Sequence, residues 1–286
     1  MADGEQVALV TGASRGAGAG IARALGAAKY TVYLTGRSVV EGDAPLPGTI
    51  SATAAAVTDA GGQGIACAVD HRDDAAVAGL LERIRAETGR LDILVNNATT
   101  IDDTLVDPGP FWEKPLSQVD ILDVGLRSAY VASYYAAPLM AATGGGLIAF
   151  TSSFGSACYM HGPAYGAQKA GLDKFAADMA VDLRDSDVAA VSIWMGPLVT
   201  ERTAWSAKRR PGQYDEMMTV AETPEFTGQL IAAIHADVER MALSGRTLIG
   251  AEQARIYGLT DTGGREPPSY REMLGEPRIP HPAIVR

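Results

Sequence analysis

The sequence predicts an α/β fold, a doubly wound parallel sheet of about seven strands flanked by helices. Three observations carry that prediction. Short β-branched runs alternate with Ala-rich stretches of helical length. The runs are apolar throughout, as in Ala8-Leu9-Val10 and Ile93-Leu94-Val95, which suits strands covered on both faces. A glycine cluster, Gly12, Gly16 and Gly18, directly follows the first run.

In chain order the runs place strands at Val7–Thr11, Thr31–Thr35, Gly64–Asp70, Leu91–Asn96, Gly146–Ser152 and Val188–Met195, with Arg246–Gly250 as a last edge strand. Helices are expected over Ile21–Ala28, Ser51–Ala60, Asp74–Thr88, Gln118–Ala142, Ala164–Asp185 and Glu225–Asp237. Two segments break the rhythm. Ser38–Thr49, with Pro45, Pro47 and acids, reads as an inserted loop. Thr200–Thr223, a charged stretch with Trp205 and Pro211, reads as a loop able to fold over a substrate as a lid. From Gly263 to Arg286, Pro267, Pro268, Pro277, Pro280 and Pro282 predict an extended tail.

The chain has 286 residues, 47% of them hydrophobic, enough for a full core, and residues 1–286 are read as one domain. Its formal charge of -10 comes from dispersed acids, which argues against nucleic-acid and anionic-membrane surfaces. Two cysteines, Cys67 and Cys158, stand outside any CxxC or Cys/His ligand spacing, so no metal site is expected. Met1–Gln6 carries acids where an export signal carries bases, and the apolar stretch Ser128–Thr143 is too short to span a bilayer. A reducing cytoplasm is the expected setting.

The glycine cluster lies in Thr11-Gly-Ala-Ser-Arg-Gly-Ala-Gly18, between the first strand and the first helix. Glycine is needed where backbone turns tightly and approaches a pyrophosphate, whose charge then sits at a helix N-terminus. Ser14 and Arg15 lie inside this turn. At the end of the second strand, where an NAD enzyme carries a carboxylate for the ribose, the sequence reads Thr35-Gly36-Arg37. Gly36 leaves room there, and Arg37 offers a forked cation to a 2′-phosphate that Arg15 can also reach. The pair favours NADP(H) over NAD(H).

Tyr165-Gly-Ala-Gln-Lys169 puts a phenol and an ammonium on one helical face. A free Tyr ionises near pH ~10, and an adjacent cation lowers that value toward neutrality. Such a pair can exchange a proton with a substrate oxygen.

Taken together, TGASRGAG and the YxxxK pair downstream of it resemble the short-chain dehydrogenase/reductases over nearly the whole chain. The resemblance implies a single-domain Rossmann fold and hydride transfer between a nicotinamide dinucleotide and a carbonyl or alcohol. It assigns Gly12, Gly16 and Gly18 to the cofactor and Asp70 to the adenine amino group. Asn96-Asn97-Ala98-Thr99 resembles the family's NNAG turn, with Asn97 lining the groove and Thr99 in place of Gly. Met195-Gly-Pro-Leu-Val-Thr200 resembles the segment that holds the carboxamide, a role given to Thr200. Lys169 is implied to bind the nicotinamide ribose. The catalytic serine has two candidates. Alignment by the strand Phe150-Thr151-Ser152-Ser153 selects Ser153, while the family's commoner count of thirteen residues before the Tyr selects Ser152. Ser153 is preferred because the strand sets where a side chain points.

The family's helix Asn is missing. Gly125 stands there in Asp123-Val-Gly-Leu-Arg-Ser-Ala-Tyr130, where a mid-helix Gly costs about 1 kcal/mol. The proton relay beyond Lys169 is therefore open. One branch of the family shares both this Gly and the shortened serine loop, together with segments such as Glu222-Thr-Pro-Glu-Phe226. The expected activity is that of an NADP(H)-dependent carbonyl reductase acting on a ketone or secondary alcohol. The alternatives are an NAD-linked alcohol dehydrogenase and a non-catalytic NADP-binding regulatory protein. The substrate pocket is expected between Ser153, Trp112, Tyr159 and the lid. The helices at Gln118–Ala142 and Ala164–Asp185 are implied to form the interface of a homodimer or homotetramer.

Overall fold

In the computed structural model, which describes residues 6–286, seven parallel strands form one sheet in the order β3-β2-β1-β4-β5-β6-β7. The acidic lead read against an export signal lies, except for Gln6, outside the described residues. The strands are β1 (Val7–Val10), β2 (Thr31–Gly36), β3 (Gln63–Ala68), β4 (Ile93–Asn96), β5 (Gly146–Ser152), β6 (Val188–Trp194) and β7 (Thr247–Ile249). The main covering helices are α1 (Gly16–Ala27), α2 (Ile50–Asp59), α3 (Asp74–Thr88), α5 (Ser128–Ala142), α6 (Pro163–Asp182) and α9 (Pro224–Ala236), with a single turn, α4 (Asp120–Leu122), before α5.

Alternation along each strand divides the core in two. Tyr33, Leu94, Phe150 and Leu172 share one apolar layer, while Leu34, Val95, Ile21 and Ile231 share the other. Successive strand residues point to opposite faces, so a strand buried on both sides must be apolar at every position. The sheet reverses direction between β1 and β4, both of which pair in parallel register with neighbours on either side. In such sheets a crevice opens at the carboxyl ends of the strands at the switch point, and the candidate site residues lie there.

Four expectations need correction. The helix expected over Gln118–Ala142 is interrupted: a π-type widening at Asp123–Arg127 contains Val124 (φ -104°, ψ 93°) and Gly125 (φ 145°). Gly125 is thus a backbone requirement, since L side chains avoid that φ. The break is held by hydrogen bonds from Thr100 N to Val124 O (2.9 Å) and from Gly125 N to Ser128 Oγ (3.0 Å). The second correction concerns Thr200–Thr223, expected as a loop, which contains two helices, α7 (Glu201–Arg209) and α8 (Asp215–Val220). Thr200 and Thr203 form a reciprocal cap at the start of α7, Glu201 sits in its first turn, and Lys208 and Arg209 in its last. That end chemistry outweighs the loop-like composition. Third, α10 (Gly250–Ile256) follows β7 directly with no capping side chain, so no start signal marks it. Fourth, the extended tail is interrupted by one turn, α11 (Arg271–Leu274).

Arg202 pairs with Asp103 at 2.6 Å, and Arg210 pairs with Asp107 while donating to Val106 O at 2.6 Å. These contacts tie α7 to the segment after β4. Among the described residues, no helix is long and apolar enough to cross a membrane, and no group of His, Cys, Asp or Glu is arranged to hold a metal ion.

Candidate active site and nucleotide groove

The glycine turn is closed from below by β4. Thr11 N donates to Val95 O (3.0 Å), and Asn97 Nδ2 donates to Thr11 O (2.9 Å) and Gly12 O (3.0 Å). A Cβ on Gly12, whose φ is +66°, would fall 2.6 Å from Ala98 Cα. One on Gly18 would fall 2.3 Å from Gly12 O and 2.5 Å from Asn97 Nδ2. Side chains cannot be accommodated at these two positions, because the turn packs tightly on itself and on the segment after β4. The first turn of α1 carries no acid, and Gly16 N donates to Glu201 Oε2 at 2.9 Å. The helix end thus binds an anionic oxygen of the chain itself, the property a pyrophosphate would use there. Glu201 lies next to Thr200 in the chain, but composition gave no sign that it reaches this turn.

Arg15 is fixed by the Ser38–Thr49 segment. Its guanidinium donates to Pro47 O (2.9 Å), Gly48 O (2.8 Å) and Ser38 Oγ (3.0 Å). Arg37 is exposed, with no hydrogen bond or ion pair among the described residues. The shared electrostatic influence of Arg37 on Arg15 places the two cations in one neighbourhood. Beneath them, a Cβ on Gly36 would meet Ile50 Cγ2 at 2.8 Å and Ser14 Cβ at 3.3 Å, so Ser14 packs over the end of β2. Asp70 is half-buried and accepts from Arg72 N at 3.0 Å. Its neighbour His71 is buried, shares a 2.7 Å hydrogen bond with Thr35 Oγ1, and is pushed down to about 4 by burial. His71 is neutral at physiological pH and supports the strand end. The cradle, the anion-accepting helix end and two nearby cations fit a phosphorylated dinucleotide.

At the carboxyl end of β5 the two serines separate. Ser153 Oγ lies 2.9 Å from the Tyr165 hydroxyl, while Ser152 is fully buried and donates to Lys169 O at 3.3 Å. Lys169 is buried too; its Nζ donates to Thr151 O at 3.2 Å and lies 5.4 Å from the centre of the Tyr165 ring. The phenol packs closely, since a Cβ on Gly155 would come within 2.5 Å of Tyr165 Cε1 and His161 meets the ring edge-on at 5.0 Å. Burial pushes the Tyr165 phenol up while the Ser153 hydroxyl pulls it down. The phenol therefore stands above its ordinary value, against the lowering expected from Lys169, and burial is the main cause. Burial also pushes Lys169 down to about 8, opposed by the charge of Asp173.

Asp173 accepts from Ser192 Oγ (2.6 Å) and Trp194 Nε1 (2.9 Å), clamping α6 to β6. The i, i+4, i+8 spacing of Tyr165, Lys169 and Asp173 was the available signal. Thr200 Cγ2 lies 3.8 Å from where a Gly16 Cβ would be, which sets the start of α7 against the glycine turn. Trp112 and Tyr159, expected in the pocket wall, are 71% and 80% exposed.

Glu222 is buried, accepts from Gly196 N at 3.1 Å, and is pushed by burial from the ordinary 4.5 to about 7. Between those values the folded protein keeps a proton that the unfolded chain has lost, so this contribution to stability falls as pH rises and is gone above about 7. Glu222→Gln should therefore gain stability over wild type between pH ~5 and ~8, by up to about 3 kcal/mol. Denaturant melts at both pH values would read it, and a constant gap would refute the assignment.

A parallel sheet with its switch point at a glycine cradle, and a Ser-Tyr-Lys cluster beside it, defines a nucleotide-dependent oxidoreductase. The family profile "short chain dehydrogenase" matches residues 6–211, and the chain belongs to that family. The chain is similar to Dehydrogenase/reductase SDR family member 1 of Homo sapiens, with 39% identity over 279 residues, covering 94% of this chain and 87% of that protein. It is also similar to cis-4-hydroxycyclohexanecarboxylate dehydrogenase of Sinomonas cyclohexanicum, with 30% identity over 78% of this chain and 88% of that one. Among solved structures, a metagenomic short-chain oxidoreductase in complex with NADP superposes with a TM-score of 0.67 at 29% identity, covering 85% of this chain and 96% of that chain.

Proposed function

We propose that this enzyme is an NADP(H)-dependent carbonyl reductase that interconverts a ketone and a secondary alcohol. The observation that carries the reading is the 2.9 Å contact between the Ser153 and Tyr165 hydroxyls beside Lys169. A ketone oxygen placed between those hydroxyls receives a hydrogen bond from Ser153 and a proton from Tyr165. The bound dinucleotide supplies the hydride. Lys169, one helical turn from Tyr165, contributes positive charge to the developing phenolate and binds the nicotinamide ribose. Gly12, Ser14, Gly16, Gly18 and Asn97 form the phosphate cradle, Asp70 holds the adenine, and Thr200 holds the carboxamide. The sheet and its helices act as one domain, with α7 and α8 as the lid. The name of the Sinomonas relative supports an alicyclic substrate.

Preference for NADP(H) over NAD(H) rests on Arg15, anchored by three hydrogen bonds, and on exposed Arg37. Arg37→Ala should weaken NADPH binding about 10- to 100-fold, as loss of a charge-assisted phosphate contact does, and leave NADH binding unchanged. Titration of both dinucleotides tests this. Equal affinities that the substitution does not move would favour an NAD-linked alcohol dehydrogenase. A homodimer or homotetramer joined through α5 and α6 is supported by Tyr130, Tyr134 and Tyr135, which are exposed on α5. Free Cys67 and Cys158 suit a reducing cytoplasm.

A further inference from the structure

The break before α5 lies against an unusual neighbour. A Cβ built on Gly125 would fall 2.7 Å from Gln168 Nε2 and 3.0 Å from Thr99 Oγ1. The Gln168 carboxamide thus takes the space that a side chain at position 125 would need. Gln168 is 1% exposed, and its Oε1 has no hydrogen-bond partner among the described residues. A second buried amide oxygen, Asn96 Oδ1, also lacks one. Asn96 belongs to the same layer: its backbone oxygen accepts from Thr151 Oγ1 (3.4 Å), and Thr151 O holds Lys169 Nζ. Buried amide oxygens are rarely left unpaired, because each costs about 1–3 kcal/mol, and an internal water is the usual partner.

Gln168 is three residues from Tyr165 and Lys169 is four, so both flank the phenol on α6. Thr99, in contrast, is exposed. The Gln168 carboxamide thus sits on the helix that carries Tyr165 and Lys169 and, at the Gly125 break, beside the hydroxyl of an exposed residue. We propose that Gln168, with Thr99 at the mouth, is the positioning residue for a water that connects the Tyr165–Lys169 pair to solvent through the helix break at Gly125. After each reduction the water replaces the Tyr165 proton: Tyr165 gives its proton to substrate oxygen, and the phenolate regains one through the bridge. The charged and titratable groups around this route are Lys169 and Asp173 on α6, Cys158 and His161 before it, and Asp123 and Arg127 in the interrupted segment. Arg127 is engaged with Asp74 at 2.5 Å.

The inference rests on the proposed reductase reading, so its test has one arm that needs neither cofactor nor substrate. Tyr165 ionisation is followed in the free protein by phenolate absorbance, as the difference from Tyr165→Phe. Gln168→Leu, of similar size but without the acceptor, should move that titration to higher pH. It should also lower kcat about tenfold at unchanged KM for NADPH. Thr99→Val should lower kcat in the same direction, and Thr99→Ser should restore it. A Gln168→Leu protein that melts as wild type does, titrates identically and keeps kcat within about twofold overturns the inference. If Gln168→Leu does not fold, the exposed Thr99 pair decides: equal rates for Val and Ser overturn it, and a Val-specific loss supports it. If wild type reduces no ketone, the functional reading fails, and Thr99→Val decides through the titration. An unmoved curve overturns the inference, and a raised one supports it.

Discussion

Tyr165→Phe should reduce ketone-dependent NADPH oxidation about 10³-fold while leaving NADPH affinity near wild type. The substitution deletes one hydroxyl and keeps the ring, so the edge-on contact with His161 and the close approach of Gly155 remain. What disappears is the proton donor and its 2.9 Å partner contact with Ser153. A variant of the neutral ring cannot deliver a proton at any pH, so its residual rate should also lose the pH dependence of wild type. Steady-state kinetics with a ketone panel, alongside direct NADPH titration, separate chemistry from binding. Residual turnover above about a tenth of wild type would remove Tyr165 from the acid role. The regulatory alternative predicts instead that no substrate supports NADPH oxidation in either protein.

Ser153→Ala and Ser152→Ala should diverge sharply. Ser153 contacts the phenol and opens a short turn whose Gly155 N donates back to its Oγ at 3.2 Å. Its loss should lower kcat about 10²- to 10³-fold, the range for removing one donor to a developing oxyanion. Ser152 is fully buried, with its hydroxyl spent on Lys169 O. Its replacement should cost about 1 kcal/mol of stability and only severalfold in rate. Parallel melts and kinetics on the two variants settle which hydroxyl meets substrate. Equal kinetic losses would mean that Ser152 acts on the chemistry through Lys169, against the reading offered for it.

The central strands were legible because burial on both faces demands unbroken apolar runs, as in β1, β4 and β6, whereas the edge strand β3 is largely uncovered and begins on Gln63 and Gly64. The glycine turn was legible for a related reason: a backbone that must be approached closely admits no Cβ, and Gly12 and Gly18 show that exclusion directly. Helix ends were read less well. The cap at Thr200 and Thr203 was present in the sequence but was masked by the charge and proline around it. Gly125 was read as an expensive residue inside a helix, whereas its φ of 145° makes it the residue that allows the helix to break. Residue type alone points to Arg15, but the Pro47 and Gly48 carbonyls that aim it come from the Ser38–Thr49 insertion, whose composition carries no sign of that contact.

Sequence by itself determined the α/β class, the alternation of strands and helices along the chain, the glycine turn after the first strand and the spacing of Tyr165 and Lys169. Each depends on periodicity, spacing or backbone freedom within a few residues. Tertiary structure alone set the Ser153 hydroxyl against Tyr165 and turned Ser152 toward Lys169 O, brought Glu201 to Gly16 and buried Glu222 beneath Gly196. It also set Gln168 against Gly125. Those outcomes turn on desolvation and on contacts between segments up to 185 residues apart. A side chain's neighbours, and hence its charge and its unmet hydrogen bonds, exist only once the sheet has assembled.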